Sequence, residues 1–171
     1  GITSFRKGSY QTSLSMFKRI NRNFPGSKLS ENAFYLCGES YYQLGQYSNA
    51  AEMFTRTMTN SYSYKDDQAR LKRGFSYFAL KNYHKAAKDF DSYLSSYPKS
   101  AYSATAQKWK DAALIEISQN EKVDMIPEND QPDEKITPDD KKISADINES
   151  YADSPQDSEV SGDYESDIEL E

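Results

Sequence analysis

Two segments of the chain decide its fold. Residues 38–54 read GESYYQLGQYSNAAEMF, and residues 74–90 read GFSYFALKNYHKAAKDF. Placed over each other at an offset of 36 residues, they share a first glycine, tyrosines at the fourth and tenth positions, a pair of alanines and a final phenylalanine. Self-similarity at such a spacing predicts an array of repeated supersecondary units.

Small and large side chains alternate at helical spacing within each segment. Gly38 and Ala50 allow two helices to approach closely, and Tyr41 and Phe54 fill the space around that contact. Gly45 lies where the first helix must end, because glycine accepts a positive φ without steric cost. The pattern therefore predicts an antiparallel helical hairpin as the repeating unit.

The pattern continues towards both ends of the chain. Residues 8–10 (GSY) match the GQY of the first segment, one unit earlier, and residues 24–27 (FPGS) match residues 97–100 (YPKS). Proline cannot continue a helix, so these two stretches are expected to join units. Residues 109–110 fall on residues 73–74, which predicts a single last helix that caps the array.

These signals predict seven helices. They cover residues 1–6, 10–23, 29–44, 47–60, 65–80, 83–96 and 101–118. The first is expected to be the end of a helix whose beginning is missing, which leaves the N-terminal end of the array uncapped.

Charge divides the chain into two parts. Residues 1–120 contain 17 Lys and Arg against 9 Asp and Glu, whereas residues 121–171 contain 4 against 18. The basic part is predicted to hold a partial first hairpin, two complete hairpins and the capping helix. The acidic part has four prolines and no Phe or Trp, so it buries too little apolar surface to offset its ordering entropy. We expect residues 121–171 to be a disordered acidic tail.

The repeat resembles the tetratricopeptide repeat. The matching residues are Phe34, Gly38, Tyr41, Ala50, Phe54, Gly74, Tyr77, Ala86, Phe90 and Pro98. More narrowly, residues 32–47 and 97–102 are similar to the repeat domain of the bacterial Tol-Pal-associated cell-division coordinator. A looser resemblance is to the repeat lipoprotein of the outer-membrane β-barrel assembly machine.

The resemblance implies an all-α fold, a right-handed superhelix of antiparallel helical hairpins. It also implies a non-enzymatic protein of the bacterial cell envelope, periplasmic or envelope-associated, that binds other envelope proteins. Two positions depart from the pattern. Lys81 replaces the hairpin glycine of the third unit, and residues 60–64 replace the Pro-x-Ser joint between the second and third units.

In such a stack, the first helix of each hairpin is expected to line a concave groove, and residues three or four apart on it share a face. The predicted partner-binding residues are Asn32, Tyr35, Glu39, Tyr42 and Gln43 on the second unit, and Gln68, Leu71, Lys72 and Phe75 on the third, with Phe78 on the same face. Their aromatic rings would supply contact area to an extended or helical partner segment, and the charges would fix its register. The alternative is that some of them, particularly Phe75 and Phe78, pack between repeats.

Catalytic and metal-binding signals are missing from the sequence. The only histidine, His84, adjoins Lys85, and the only cysteine, Cys37, falls at a predicted core position. There is no phosphate-binding glycine loop, no zinc-ligand spacing and no EF-hand spacing. We predict no enzymatic activity, no cofactor and no metal site. No apolar run approaches the roughly 18 residues of a membrane-spanning helix.

Several functions remain open at this point. The first is a scaffold that binds a protein segment in the groove. The second is a structural subunit that docks through its uncapped first hairpin into a larger envelope assembly, such as an outer-membrane protein assembly or division complex. The third is an accessory domain of an enzyme whose catalytic part lies upstream of Gly1.

The basic part of the chain also raises the question of nucleic acid. Its cations are spread over several helices and accompany no recognition module, so a solvated surface is favoured over nucleic-acid binding. A further hypothesis is that the acidic tail folds back on the basic part and competes with acidic partners.

Overall fold

A computed structural model of the protein describes residues 1–59 and 65–124, with the side chains of 122–124 excepted. These residues form seven α-helices and no strand. The helices are α1 (Ile2–Arg6), α2 (Tyr10–Asn23), α3 (Lys28–Gln43), α4 (Tyr47–Met58), α5 (Asp66–Ala79), α6 (Tyr83–Ser96) and α7 (Ser103–Asp124). Each helix packs against its neighbours in sequence, and α5 also contacts α7. The predicted all-α helical repeat is confirmed.

The predicted helix bounds agree with the structure within two residues, except at the end of α7. This helix continues to Asp124, although the sequence predicted an end near residue 118. No glycine or proline occurs between Ser103 and Pro127, so nothing in the local sequence ends the helix earlier. The first four residues of the predicted tail are therefore helical. The predicted disorder of the tail from residue 125 onwards lies outside the described residues.

Each complete hairpin closes on a contact between a glycine and a phenylalanine. A Cβ atom placed on Gly38 would lie 2.6 Å from Cε1 of Phe54, and one on Gly74 would lie 2.7 Å from Cε1 of Phe90. The first hairpin repeats this contact at 2.8 Å, between its first residue and Phe17. All three rings are at most 2% exposed. The two helices of a hairpin can therefore approach this closely only where a side chain is absent.

The turn inside each hairpin contains one residue in the left-handed region. Its φ angle is +73° at Gly8, +70° at Gly45 and +57° at Lys81. In the second hairpin the N–H of Gly45 donates to the carbonyl of Tyr42, and the N–H of Gln46 donates to that of Tyr41, each at 2.9 Å. These are the two bonds of a Schellman motif. The third hairpin keeps both bonds although it lacks the glycine.

Arg73 on α5 forms hydrogen bonds that connect three helices. Its guanidinium donates to both carboxylate oxygens of Asp89 on α6, at 2.7 Å each, and to the hydroxyl of Thr55 on α4, at 2.9 Å. Burial acts against the charged form, but the hydrogen bonds and charge of Asp89 outweigh it and raise the pKa of Arg73. One offset earlier, the position of Arg73 is taken by Cys37.

Replacing Lys81 with glycine should stabilise the fold. A left-handed conformation costs a residue with a side chain about 1–2 kcal/mol. Glycine avoids this cost, but it loses more chain entropy on folding, which offsets part of the gain. We expect Lys81→Gly to raise the free energy of unfolding by about 0.5–1 kcal/mol, measured by chemical denaturation. The matched control is Lys88→Gly on α6, which should lower it by about 1 kcal/mol because its backbone is helical. Equal losses in both variants would contradict the prediction.

Candidate partner-binding site

The predicted partner-binding residues lie on α3 and α5, but they differ in accessibility. Gln43 is exposed, Tyr35, Glu39 and Gln68 are half-buried, Asn32, Tyr42 and Lys72 are buried at 3–7% exposure, and Leu71 and Phe75 are buried at 0–1%. Only the first four therefore present appreciable surface to a partner.

Leu71 and Phe75 belong to the core, and their burial does not support the partner-binding role predicted for them. The ring of Phe75 lies 5.3 Å from that of Phe90 and 5.8 Å from that of Trp109 on α7. Phe78 lies 4.9 Å from the same Trp109 ring. For both phenylalanines, the structure thus supports the alternative of packing between repeats. The cause is the capping helix, which covers this part of α5.

Buried alanines fix the register between the first helices of successive units. Ala33, Ala69 and Ala106 are each at most 1% exposed and occupy corresponding places on α3, α5 and α7. By this register, Trp109 corresponds to Lys72. The sequence comparison placed it on residue 73, one position away, because the linker before α7 holds one residue more than the repeat offset allows.

Three joints between successive units use these corresponding positions. We define each joint by two residues on the first helix of a unit and one on the first helix of the next. The first joint contains Ile2, Phe5 and Leu36, the second contains Glu39, Tyr42 and Lys72, and the third contains Phe75, Phe78 and Trp109. The first joint is apolar, the second is ionic and the third is aromatic.

The equivalence of the joints is supported by a recurring aromatic contact. Tyr42 meets Tyr47 edge to face, with ring centroids 5.2 Å apart. The corresponding rings lie 5.4 Å apart in the first hairpin and 5.1 Å apart in the third, again edge to face. The backbone therefore presents the second joint in the same way as the other two.

An ion pair lies in the second joint. Lys72 Nζ is 3.1 Å from Glu39 Oε2, with the two side chains only 9% and 13% exposed, and it lies 6.0 Å from the centroid of the Tyr42 ring. Burial, and secondarily the nearby Tyr47 and Glu39, raise the pKa of Tyr42, so its hydroxyl remains protonated. This hydroxyl is therefore a permanent donor as well as an acceptor.

Two polar atoms of the second joint lack a hydrogen-bond partner in the described part of the chain. Glu39 Oε1 and the Tyr42 hydroxyl are buried and make no hydrogen bond to any residue that the structure describes. A buried polar group left in this state costs about 1–3 kcal/mol. Since the corresponding positions are apolar in the first and third joints, the packing of the repeats does not require polar groups here.

The accessible residues lie on either side of the second joint. The centroid of the Tyr35 ring lies 5.7 Å from that of Phe54, and Lys65 Nζ lies 5.5 Å from the Tyr35 centroid. Lys65 also donates to Gln68 Oε1 at 3.0 Å, which brings Tyr35 and Gln68 to the same end of the joint. Gln43 lies at the other end of α3. The surface thus combines an aromatic face with amide groups.

Cys37 belongs to the core of the first two hairpins. It is fully buried beside Leu14, Phe17 and Ala33. Burial raises the pKa of its thiol to about 12, although Lys18 acts weakly in the opposite direction. The thiol is therefore neutral at ordinary pH and is not an activated nucleophile.

No chemistry-bearing cluster accompanies this surface. Among the described residues there is no group of three or more His, Cys, Asp or Glu side chains that could hold a metal ion. An open depression of about 340 Å³ lies between the α5–α6 turn and α7, and it contains His84 and Glu121 at its edge. Within residues 1–59 and 65–124, no helix is both long and apolar enough to cross a bilayer.

Comparison with known families supports the repeat. The sequence model of the tetratricopeptide repeat family matches residues 32–61 and 68–100. These ranges begin on α3 and α5 and include the second and third hairpins. No curated protein matches the chain significantly.

Replacing Glu39 and Lys72 with the apolar residues of the first joint tests how the ion pair of the second joint affects the free energy of unfolding. Glu39→Ile alone removes the carboxylate that faces the buried Lys72 ammonium, and should lower the free energy of unfolding by about 3 kcal/mol. Glu39→Ile combined with Lys72→Leu should be neutral or stabilising, because a packed apolar pair avoids the desolvation penalty. Denaturant titration of both variants measures this. A double variant as unstable as the single one would show that the joint needs its charges.

The burial of Cys37 predicts slow reaction with a thiol reagent. At pH 8 the pKa of about 12 leaves roughly a thousandth of the thiolate expected from the ordinary value of 9.0. We expect Ellman's reagent to modify the native chain at least about a hundredfold more slowly than the chain unfolded in guanidinium. As a control, Thr12→Cys in a Cys37→Ala background, which is exposed on α2, should react at the same rate in both states.

Proposed function

We propose that this chain, which contains tetratricopeptide repeats, is a non-enzymatic scaffold that binds a segment of a partner protein in a groove across α3 and α5. Repeats of this family serve protein–protein interaction, and stacked helical units of this kind offer extended binding surfaces. The segment would lie over the second joint and contact Tyr35, Glu39, Gln43 and Gln68.

The observation that carries this proposal is the unused hydrogen-bonding capacity of the second joint. Glu39 Oε1 accepts no hydrogen bond and the Tyr42 hydroxyl makes none, within the described part of the chain. The first and third joints show that an apolar solution exists at these positions. Departures from an optimal core often mark functional sites, where the unfavourable term is offset on binding.

Binding requires only small movements at this joint. Interface side chains commonly change rotamer when partners bind, while the backbone moves little. A shift of the Lys72 side chain would open Glu39 and Tyr42 to a donor on the partner. The half-buried Tyr35 ring and the exposed Gln43 amide would supply contact area and adaptable hydrogen bonds at the two ends.

The proposed location is the bacterial envelope or periplasm, and the proposed context is an outer-membrane protein assembly or division complex. This part of the proposal is supported by the narrower sequence resemblance alone. Fractionation of native cells, with immunodetection of the chain, is the direct check. Recovery in the cytoplasm would remove the envelope from the proposal and leave the groove unaffected.

A second candidate function is docking through the first hairpin into a larger assembly. Phe24 is 53% exposed and Met16 is 37% exposed in the first hairpin, and Leu29, which follows at the start of α3, is 39% exposed. Such a concentration favours an interface at that end of the array.

Site-specific photo-crosslinking in native cells distinguishes the two functions. With a photoreactive amino acid at Gln43, we expect a crosslinked partner that is absent when the same residue replaces Gln11, which is exposed on α2. A partner captured only from position 24 would favour docking through the first hairpin.

Tyr42→Phe then tests whether the second joint takes part. This variant removes only the hydroxyl, so we expect it to keep or raise the thermal stability while it weakens partner binding about three- to tenfold. The matched control is Tyr77→Phe, which should leave binding unchanged because Tyr77 lies on the side of α5 opposite to the second joint. Binding by Tyr42→Phe at full affinity would contradict the role of the joint.

A further inference from the structure

We propose that the first hairpin carries a docking surface, separate from the groove, for an acidic protein segment that contains large apolar side chains. The surface, called here the basic–apolar patch, surrounds the turn between α2 and α3. It consists of Arg19, Arg22, Phe24, Lys28 and Leu29, all of which are exposed. Three observations support it.

The first observation is the position of the positive charge. Residues 1–30 contain six Lys and Arg and no Asp or Glu, since the first acidic residue is Glu31. Residues 31–120 contain 11 Lys and Arg against 9 Asp and Glu. Six of the eight surplus charges of the array are therefore in its first 30 residues, and all six side chains are exposed. Such a concentration attracts an acidic partner over a distance of about a Debye length.

The second observation is that the array uses its own acidic residues elsewhere. Ion pairs join Arg56 to Glu52, Lys72 to Glu39, Arg73 to Asp89, and Lys110 to Asp91. Within the part of the chain that the structure describes, Arg19 and Arg22 make no ion pair. They lie three residues apart on α2, where like charges repel each other. Carboxylates of a partner would relieve this repulsion, and arginine binds them with two parallel hydrogen bonds.

The third observation is a comparison between the ends of α2 and α6, which have the same backbone conformation. Phe24 ends α2 with φ −131° and ψ 54°, and Tyr97 ends α6 with φ −131° and ψ 56°. Each residue donates its N–H four positions back, to Ile20 at 2.9 Å and to Tyr93 at 2.8 Å. The two helices thus end in the same backbone conformation, although the linkers that follow differ in length, since α3 begins four residues after Phe24 and α7 six residues after Tyr97.

The side chains of the second turn form no such patch. At the end of α6, the positions of Arg19, Arg22 and Phe24 are taken by Ser92, Ser95 and Tyr97. Tyr97 rests on the ring of Tyr93, 5.4 Å away, whereas Phe24 has Ile20 at the corresponding position and is 53% exposed. Neither the two arginines nor the exposed ring is therefore required by the backbone conformation that ends the helix.

The mixed chemistry of the patch favours a protein segment over a nucleic acid. A polyanion would need the cations alone, but the patch also exposes Phe24 and Leu29. Arginine beside aromatic and aliphatic anchors is typical of protein interfaces. The occupant is therefore a segment in which Asp and Glu alternate with Phe, Leu or similar residues.

The experiment measures binding of a defined probe to the full chain. The probe is a fluorescent 20-residue peptide of Asp and Glu with Phe or Leu at every fourth position, and its control has Ser at those positions. We expect fluorescence anisotropy to show saturable binding of the probe, at least about tenfold weaker binding of the Ser control, and weaker binding of both at high salt.

Variants of the full chain place the binding on the patch. Arg19→Ser combined with Arg22→Ser introduces the serines that α6 has at the corresponding positions, and it should weaken binding about five- to tenfold. Phe24→Ser should weaken binding about tenfold. The matched control, Lys85→Ser with Lys88→Ser, removes two exposed charges three residues apart on α6 and should change binding less than about twofold.

Three results would overturn the proposal. If the control variant loses as much affinity as the arginine variant, the attraction is unspecific. If an oligonucleotide displaces the probe and Phe24→Ser has no effect, the surface binds nucleic acid. If affinity rises when the acidic residues of 151–171 are replaced by Asn and Gln, the chain's own acidic end is the occupant. None of these results bears on the groove, because crosslinking from Gln43 tests that surface separately.

Discussion

The contact between a glycine and a phenylalanine sixteen residues later is the constraint on which the array depends. It recurs in each hairpin, and the added Cβ distances of 2.6–2.8 Å show that no other residue fits without displacing the ring. This close approach sets the angle and spacing of the two helices in a hairpin. The remaining faces of the first helix are then directed towards the next unit, which is where the three joints form.

The joints show that one backbone arrangement accepts three kinds of chemistry. Apolar side chains form the first joint, an ion pair with an unsatisfied hydroxyl forms the second, and edge-to-face aromatic rings form the third. The second joint leaves Glu39 Oε1 and the Tyr42 hydroxyl without a partner in the described chain, and the third joint leaves the indole N–H of Trp109 without one. The basic–apolar patch follows the same logic, since serines replace the two arginines at the corresponding end of α6. In both cases, comparison within the chain separates what folding needs from what it does not.

Helix positions and the repeat could be predicted from the sequence because they depend on local spacing of small, aromatic and turn residues. The burial of Phe75 could not, because it depends on Trp109, which the sequence comparison placed one residue out of register. The Glu39–Lys72 pair joins residues 33 positions apart, so no local pattern marks it. The charge of the first hairpin was visible in the sequence, but its contrast with the α6–α7 turn needed the backbone angles.

The guanidinium of Arg73 has a consequence for how the array comes apart. In an ideal repeat protein each unit couples only to its neighbours through apolar contact, and unfolding can proceed one unit at a time. Arg73 bonds to α6 in its own hairpin and to α4 in the preceding one, so its half-buried guanidinium links the second and third repeats in addition to the Lys72–Glu39 pair. Separating the repeats breaks the bond to Thr55, whereas the bonds to Asp89 remain within the third hairpin. Unfolding at this boundary therefore has to break polar bonds as well as apolar contacts, which adds to the coupling between these two neighbouring units.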